Sequence, residues 1–409
     1  MINYQQARDK VASKVRQLVG AVATESVALR QALGRVLARE IRSDRDYPPF
    51  DRSIRDGYAV RAEDTRLGAR LRCMGEIRAG EAPSFTVNAG TCVQIMTGAP
   101  LPEGADAVVM VEHTSRDGDS VQLRRAVGPG QHLVRRGSEQ KAGGTILAAG
   151  TRFGFAELAV AAQVGAANPV VTRKPRIAIL TTGDEVVDFA STPGPFQIRN
   201  SNSVSLAAQV SLCSAEPVLL GNATDSLDDL REKISEGFEA DMLILSGGVS
   251  MGKYDLVEPA LREFGAEFIF DAVAIRPGKP VVFAICKGKP FDAQSKPVFG
   301  LPGNPVSTMV TFDLFVRPAI EILSGAQPSS LPLVEATLTS ALSEKPGLAH
   351  FLPAILSWSG DIPQVAPVKW QGSGDVVAMA HANCLLVVPT ERERIEAGER
   401  VRVLPRGTW

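Results

Sequence analysis

Cysteine, histidine and aromatic side chains are all scarce in this 409-residue chain. Its five cysteines (Cys73, Cys92, Cys213, Cys286, Cys384) are scattered and odd in number, and none falls in a CxxC pair. This argues against a disulfide framework and a structural zinc site, and predicts reduced thiols in a cytoplasmic protein. The four histidines fit no HExxH pattern. An excess of one charge is also lacking: 44 Lys and Arg against 45 Asp and Glu leave a formal net charge of −1. With no global basic field, neither nucleic acid nor anionic lipid is an expected partner. A long hydrophobic run is missing too. The most apolar helical stretch, Phe153 to Ala167, is interrupted by Glu157 and Gln163 and reads as a packed helix, not a membrane span. Met1 to Lys10 is polar and helical in pattern, unlike a signal peptide.

What is present is the composition of a globular protein, with 44% hydrophobic residues, 37 Gly and 27 Pro. The length predicts about two to four domains. Residues 4–19 have a helical pattern with Val11, Val15 and Leu18 on one face. A second helix is expected at about 26–39, where Val27, Leu29, Leu33, Val36 and Leu37 recur. Tyr47 to Tyr58 is extended and turn-rich, because Pro48 and Pro49 disfavour helix and Asp56-Gly57 signals a turn. From Gly57 to about Leu147 short apolar runs (Val93–Met96, Ala107–Val111, Val121–Ala126) alternate with Gly and Pro, which predicts a small inserted β domain.

After a helix at 155–165 and a basic linker, apolar strands alternate with amphipathic helices. Strands are expected at 177–180, 217–220, 242–245, 267–275, 280–285 and 297–300. Helices are expected at 202–213, about 226–237, 254–264 and 305–323. This is the pattern of a doubly wound, mostly parallel α/β sheet. From about 327 onward, runs such as Val334–Leu338 and Cys384–Val388 predict a small β barrel or sandwich.

In such a sheet ligands bind beyond the carboxyl ends of the strands, at a switch in strand order. Three strands end in small-residue turns: Thr182-Gly183-Asp184-Glu185, Ser246-Gly247-Gly248-Val249-Ser250, and Gly300-Leu301-Pro302-Gly303-Asn304-Pro305. Bare main-chain N–H groups at a strand-to-helix turn favour an anion such as phosphate. Arg276-Pro277-Gly278-Lys279-Pro280 adds two cations on a stiff turn. Asp184, Glu185, Asp225 and Asp255 collect at the same strand ends, and carboxylates beside phosphates commonly hold Mg²⁺. Each feature has a plainer reading. A Ser-Gly-Gly turn can simply be tight, Lys279 can be a surface cation, and Asp225, just ahead of a helix, suits an N-cap.

Together with Phe50-Asp51-x-Ser53-x-x-Asp56-Gly57-Tyr58 and Met96-Thr97-Gly98-Ala99, these motifs resemble the molybdopterin molybdenumtransferase family, the MoeA proteins and the gephyrin E domain. The likeness keeps motif order from the first helices to the C-terminus. It implies an extended helical domain (1–45 and 147–173), an inserted β domain (46–146), an α/β molybdopterin-binding domain (174–326) and a C-terminal β domain, taken as a barrel (327–409). The implied activity inserts molybdenum from molybdate into adenylylated molybdopterin, releasing AMP, with Mg²⁺ assisting. A homodimer is implied, with the cleft between the central domain of one subunit and the β insert of the other. A molybdopterin adenylyltransferase and cofactor-delivery proteins are implied partners.

Carried over residue by residue, the resemblance assigns catalytic roles to Asp56, Glu185, Asp225, Asp255 and Lys279, with Glu185, Asp225 and Asp255 toward the metal. Substrate contacts fall to Thr97, Gly98, Glu139, Ser246, Gly247, Gly248, Ser250, Arg276, Pro302, Pro305 and Ser373. Several positions depart from the family pattern. Arg52 and Arg55 stand where Asn and Met are usual, and Val134, Leu348 and Pro353 stand where arginines are. One reading is compensated drift in a working enzyme. The alternative is a non-catalytic or altered-ligand pterin-binding paralogue. Adenylyl transfer to molybdopterin is a third reading, disfavoured by the two extra β domains.

Overall fold

A computed structural model describes residues 1–248, 256–287 and 295–406. The centre is a six-stranded sheet in the order Glu216–Ala223, Arg176–Thr182, Met242–Ser246, Lys296–Leu301, Val282–Cys286, Glu267–Phe270. The first four strands are mutually parallel, and Val282–Cys286 runs against both its neighbours. The expected mostly parallel, doubly wound sheet is therefore present.

Alternation along the strands feeds two cores. Ile177, Ile179, Met242 and Ile244 point to one face, where they join Leu206 and Val210 of helix Ser201–Leu212 and Val306 and Val310 of helix Pro305–Thr311. Ala178, Leu180, Leu243 and Leu245 point to the other, against Leu230 and Ile234 of helix Leu227–Gly237 and Val257 and Leu261 of helix Val257–Glu263. Helix 305–323 runs on from Pro305–Thr311 through a π-helical segment, Phe312–Val316, into Arg317–Leu323.

The N-terminal helix Tyr4–Leu18 has an Asn3 capping box, and its Ala7, Val11 and Val15 enter the first of these cores. The helix expected at about 26–39 does not form. Thr24–Ser26 pairs antiparallel with Val170–Thr172, and only one 3₁₀ turn, Leu29–Gln31, follows. Gly34 has φ +74°, Leu33 is exposed, and Leu37 bridges to Val171. Pairing with a distant segment has overridden a helical spacing of apolar residues. The single strand expected over 267–275 divides into Glu267–Phe270 and Ile275–Arg276.

The β insert is a six-stranded sheet in the order Ala107–Met110, Gly57–Val60, Thr91–Ile95, Arg70–Ile77, Ser120–Leu123, Thr114–Asp117. The C-terminal strands Ala349–Ser359, Ile362–Pro367, Val334–Leu338, Arg400–Pro405 and Cys384–Val388 close on themselves as a five-stranded barrel. Ile275–Arg276 pairs in parallel with Ala349 and His350, which ties the barrel to the central domain beside the Pro277-Gly278-Lys279 turn.

Phe299 lies in a central strand, fully buried and stacked on Phe283 at 4.7 Å between ring centroids. Phe299→Ala is expected to destabilise the protein by about 3–5 kcal/mol. Phe155→Ala, at a side chain 88% exposed, should stay within about 0.5 kcal/mol of the parent. Denaturant unfolding of the two variants side by side checks the contrast.

Candidate functional site

Strand order reverses between Arg176–Thr182 and Met242–Ser246, because the chain visits Glu216–Ala223 on one side before crossing to the other. The carboxyl ends of these two strands and of Lys296–Leu301 border a cavity of about 590 Å³. Among the expected site residues, Glu185, Asp225, Ser246, Gly247, Gly248, Pro302 and Pro305 line it.

The glycines are required by crowding. Gly247 has φ +99°, its N–H donates to the Leu301 carbonyl at 3.1 Å, and a Cβ there would sit 2.8 Å from the Thr182 carbonyl oxygen. The Gly247 amide is thus already engaged. Gly183, at φ +130°, leaves room for Glu185 to fold back: a Cβ would meet the Glu185 carboxylate at 2.6 Å.

The turn at Pro302 is braced from three directions. Asn202 Nδ2 donates to Ser246 Oγ at 2.9 Å and to the Gly303 carbonyl at 2.8 Å. Thr308 Oγ1 donates to the Pro302 carbonyl at 2.5 Å. Val306 N–H donates to the Ser373 carbonyl at 2.9 Å, which brings Ser373 of the C-terminal region to the start of helix Pro305–Thr311. Asn200 caps helix Ser201–Leu212 through Ser203 N–H and donates its own amide to Thr181 Oγ1 at 2.8 Å.

Asp225 does not cap the helix that follows it; Ser226 holds the N-cap position. Instead its main-chain N–H donates to Asp184 Oδ1 at 3.0 Å. Desolvation, then the charges of Asp184 and Glu185, push the Asp225 carboxyl above the usual aspartate range. Three acids thus meet beyond the ends of two neighbouring strands, and a cation would relieve their repulsion. Among the described residues no group of three His, Cys, Asp or Glu has metal-ligand geometry. The third acid expected at the metal, Asp255, lies outside the described residues, as does Ser250.

The other expected residues lie elsewhere. Lys279 and Arg276 are exposed on the turn next to Pro280, which does line the cavity. Asp56, Thr97, Gly98 and Glu139 belong to the β insert and do not line the cavity of their own chain. There Asp56 Oδ1 accepts from Thr97 N–H at 2.6 Å and from Thr97 Oγ1 at 2.9 Å. These two bonds hold the Asp56 carboxyl below the ordinary range. Glu139 pairs with Arg52 at 2.9 Å. The departing Arg52 is therefore matched by an acid on the neighbouring segment.

Sequence reasoning did not assign Val186, Ile198, Arg199 or Asn202 to the cavity, yet all line it. Only Asn202 carried a readable signal, as part of the Asn200-Ser201-Asn202 cap at a strand-end crossover.

Three family models match the chain in order. The MoeA N-terminal region (domain I and II) covers residues 2–165, a probable molybdopterin binding domain covers 178–322, and the MoeA C-terminal region (domain IV) covers 335–405. Molybdopterin molybdenumtransferase of a Nostoc species is 36% identical over 403 residues, 93% of this chain and 88% of that protein. The Bacillus subtilis protein of the same name is 35% identical, spanning 93% and 89%. The crystal structure of a molybdopterin biosynthesis MoeA protein from Pyrococcus horikoshii superposes with a TM-score of 0.81 at 29% identity, covering 99% of this chain and all of that one. The chain belongs to the molybdopterin molybdenumtransferase (MoeA) family.

Proposed function

We propose that this protein inserts molybdenum from molybdate into adenylylated molybdopterin, with release of AMP, in molybdenum cofactor biosynthesis. The observation that carries this reading is the cavity at the strand-order switch, where glycine turns and the acids Glu185 and Asp225 converge in a chain alike to molybdenumtransferases along nearly all its length. The same likeness disfavours a non-catalytic paralogue.

In this proposal the turns at Gly247-Gly248 and Pro302-Gly303 seat the pyrophosphate, with Lys279 and Arg276 supplying positive charge from the adjoining turn. Glu185 and Asp225, with Asp255, hold Mg²⁺; two close carboxylates with a raised Asp225 suit an ion that completes its shell with water and phosphate oxygens. When bound, the ion offsets charge on the phosphates during cleavage of the anhydride. Ser373 and Pro305 border the molybdate end. Asp56, Thr97, Gly98 and Glu139 act from the partner subunit of a homodimer, which accounts for their distance from the cavity of their own chain. The four-part division at 1–45 with 147–173, 46–146, 174–326 and 327–409 belongs to the same reading. So do a cytoplasmic location and exchange with an adenylyltransferase and cofactor-delivery proteins. No described helix is long and apolar enough to cross a membrane.

Incubation with adenylylated molybdopterin, molybdate and Mg²⁺ should release AMP in a molybdate-dependent way. Glu185→Gln should lower that rate by about 10²-fold or more. Substrate bound normally, with no molybdate-dependent AMP, would rule the activity out.

The shared cleft has a separate check. Asp56→Asn and Glu185→Gln proteins should each be nearly inactive, and co-refolding them should restore about a quarter of parental activity through the intact site of each mixed dimer. No recovery in proven mixed dimers would remove the partner's contribution.

A third expectation follows from the Asp225 environment. A carboxyl with a raised pKa takes up its proton earlier as pH falls, so Mg²⁺ affinity should weaken at a higher pH than for an ordinary aspartate. Asp184→Asn removes one of the repelling charges and should move that acid limb to lower pH. Mg²⁺ titration of AMP release across a pH series measures the shift.

A further inference from the structure

One wall of the cavity is polar, built from glycine turns and acids. Another part of its lining, Val186, Ile198 and Arg199, has a different chemistry. Val186–Val187 pairs in parallel with Ile198–Arg199, Ile198 N–H donates to the Glu185 carbonyl at 2.8 Å, and Asn200 N–H to the Val187 carbonyl at 2.8 Å. These bonds close the stem of a loop. Within it, Arg199 Nε donates to the Ser191 carbonyl at 3.1 Å, Gly194 N–H to Gln197 Oε1 at 3.0 Å, and Ala190 N–H to Asp188 Oδ1 at 2.8 Å. The loop is held by these internal hydrogen bonds and leaves three large apolar side chains exposed. Phe196 is 93% exposed, Phe189 59% and Ile198 58%. Single exposed apolar residues are ordinary, but these three share one short loop, and Val186, Ile198 and Arg199 line the cavity itself.

We propose that Val186, Ile198 and Arg199 form the platform on which a planar heterocycle of the ligand lies, with Phe196 extending it at the lip. The proposal rests on the reading of the site given above and deepens it by separating a ring wall from a phosphate wall. Phosphate oxygens need N–H donors and cations, which the glycine and lysine turns supply. A flat ring needs apolar area and a cationic plane to stack on. Arg199 offers such a plane, held in place through its Nε by Ser191. Adenine and the pterin share this chemistry, and with the phosphates seated at the glycine turns only one of them reaches this wall. The competing occupant is a second copy of the chain covering Phe196.

Calorimetry on the full-length protein separates these cases, with AMP, inorganic pyrophosphate and, anaerobically, molybdopterin as probes. Ile198→Ser and Phe196→Ser alter outward side chains and leave the cores untouched. Ile198→Ser is expected to weaken either AMP or molybdopterin about tenfold and to leave pyrophosphate affinity unchanged. Loss confined to AMP places adenine on the wall, and loss confined to molybdopterin places the pterin there. Unchanged affinity for both ring ligands overturns the proposal, as does an equal loss for pyrophosphate. A Phe196→Ser protein that sediments as a smaller species with unaltered affinities assigns the lip to a subunit contact and overturns it too. If the parent protein binds none of the three probes, the reading of the site itself fails with it.

Discussion

Three parallel strands must end side by side at Thr182, Ser246 and Leu301, and the site depends on how their ends part. In register, Thr181 faces Ser246 and Ser246 faces Leu301. Just beyond, the ladder stops and each chain must leave in a different direction without stranding buried polar groups. Gly247 meets this constraint by donating its N–H to Leu301 while its Cα passes too close to Thr182 for a side chain. Asn202 and Thr308 take up the next carbonyls, at Gly303 and Pro302. A gap then opens beyond these braced turns, and that gap is the cavity. Losing one such buried bond would leave a polar group unpaired, at a cost of about 1–3 kcal/mol, so the turns are held rigidly.

Charge is arranged unevenly around this gap. Acids lie close to it: Glu185 and Asp225 on the wall, and Asp184 bonded to the Asp225 main chain. Arg199 also lines the gap, while Arg276 and Lys279 lie on a turn that the barrel fixes through the Ile275 to Ala349 pairing. In the β insert Arg52 is neutralised by Glu139 and Arg135 by Asp51. A lone protein therefore presents a gap whose near acids repel one another.

Much of the central sheet was legible because each strand is a continuous apolar run closed by Gly, Ser or Pro, and each helix carries its own amphipathic stripe. The glycine turns were legible for the same reason: close backbone approach leaves few residue choices at Gly183 and Gly247. The helix expected at 26–39 misled because Val27, Leu29, Leu33, Val36 and Leu37 have helical spacing. The spacing says nothing of Val170–Thr172, some 140 residues away, which claims the backbone hydrogen bonds. Asp225 reads as a cap from its place before a helix, but burial and then Asp184, across the crossover, raise its carboxyl. Ile198 and Arg199 left no signal at all. They follow a Pro- and Gly-rich segment with no period, and their exposure is set by how a loop folds on itself.

The placement of Asp56 bears on what a single chain can do. Its carboxylate is fixed by two hydrogen bonds from Thr97, so it is oriented ahead of any ligand. It is also exposed and does not line the cavity of its own chain. The two charge-assisted hydrogen bonds already offset the lost side-chain freedom within one chain. A further gain would come where a second surface meets this acid. In the proposed dimer that surface is the partner's cavity, where pre-oriented acids avoid the entropy cost of ordering at the moment of reaction. Charge held at Asp56 on one chain and crowded at Asp184, Glu185 and Asp225 on the other would then bracket one ligand from both sides. On this reading the spacing between the two groups is set by the subunit contact.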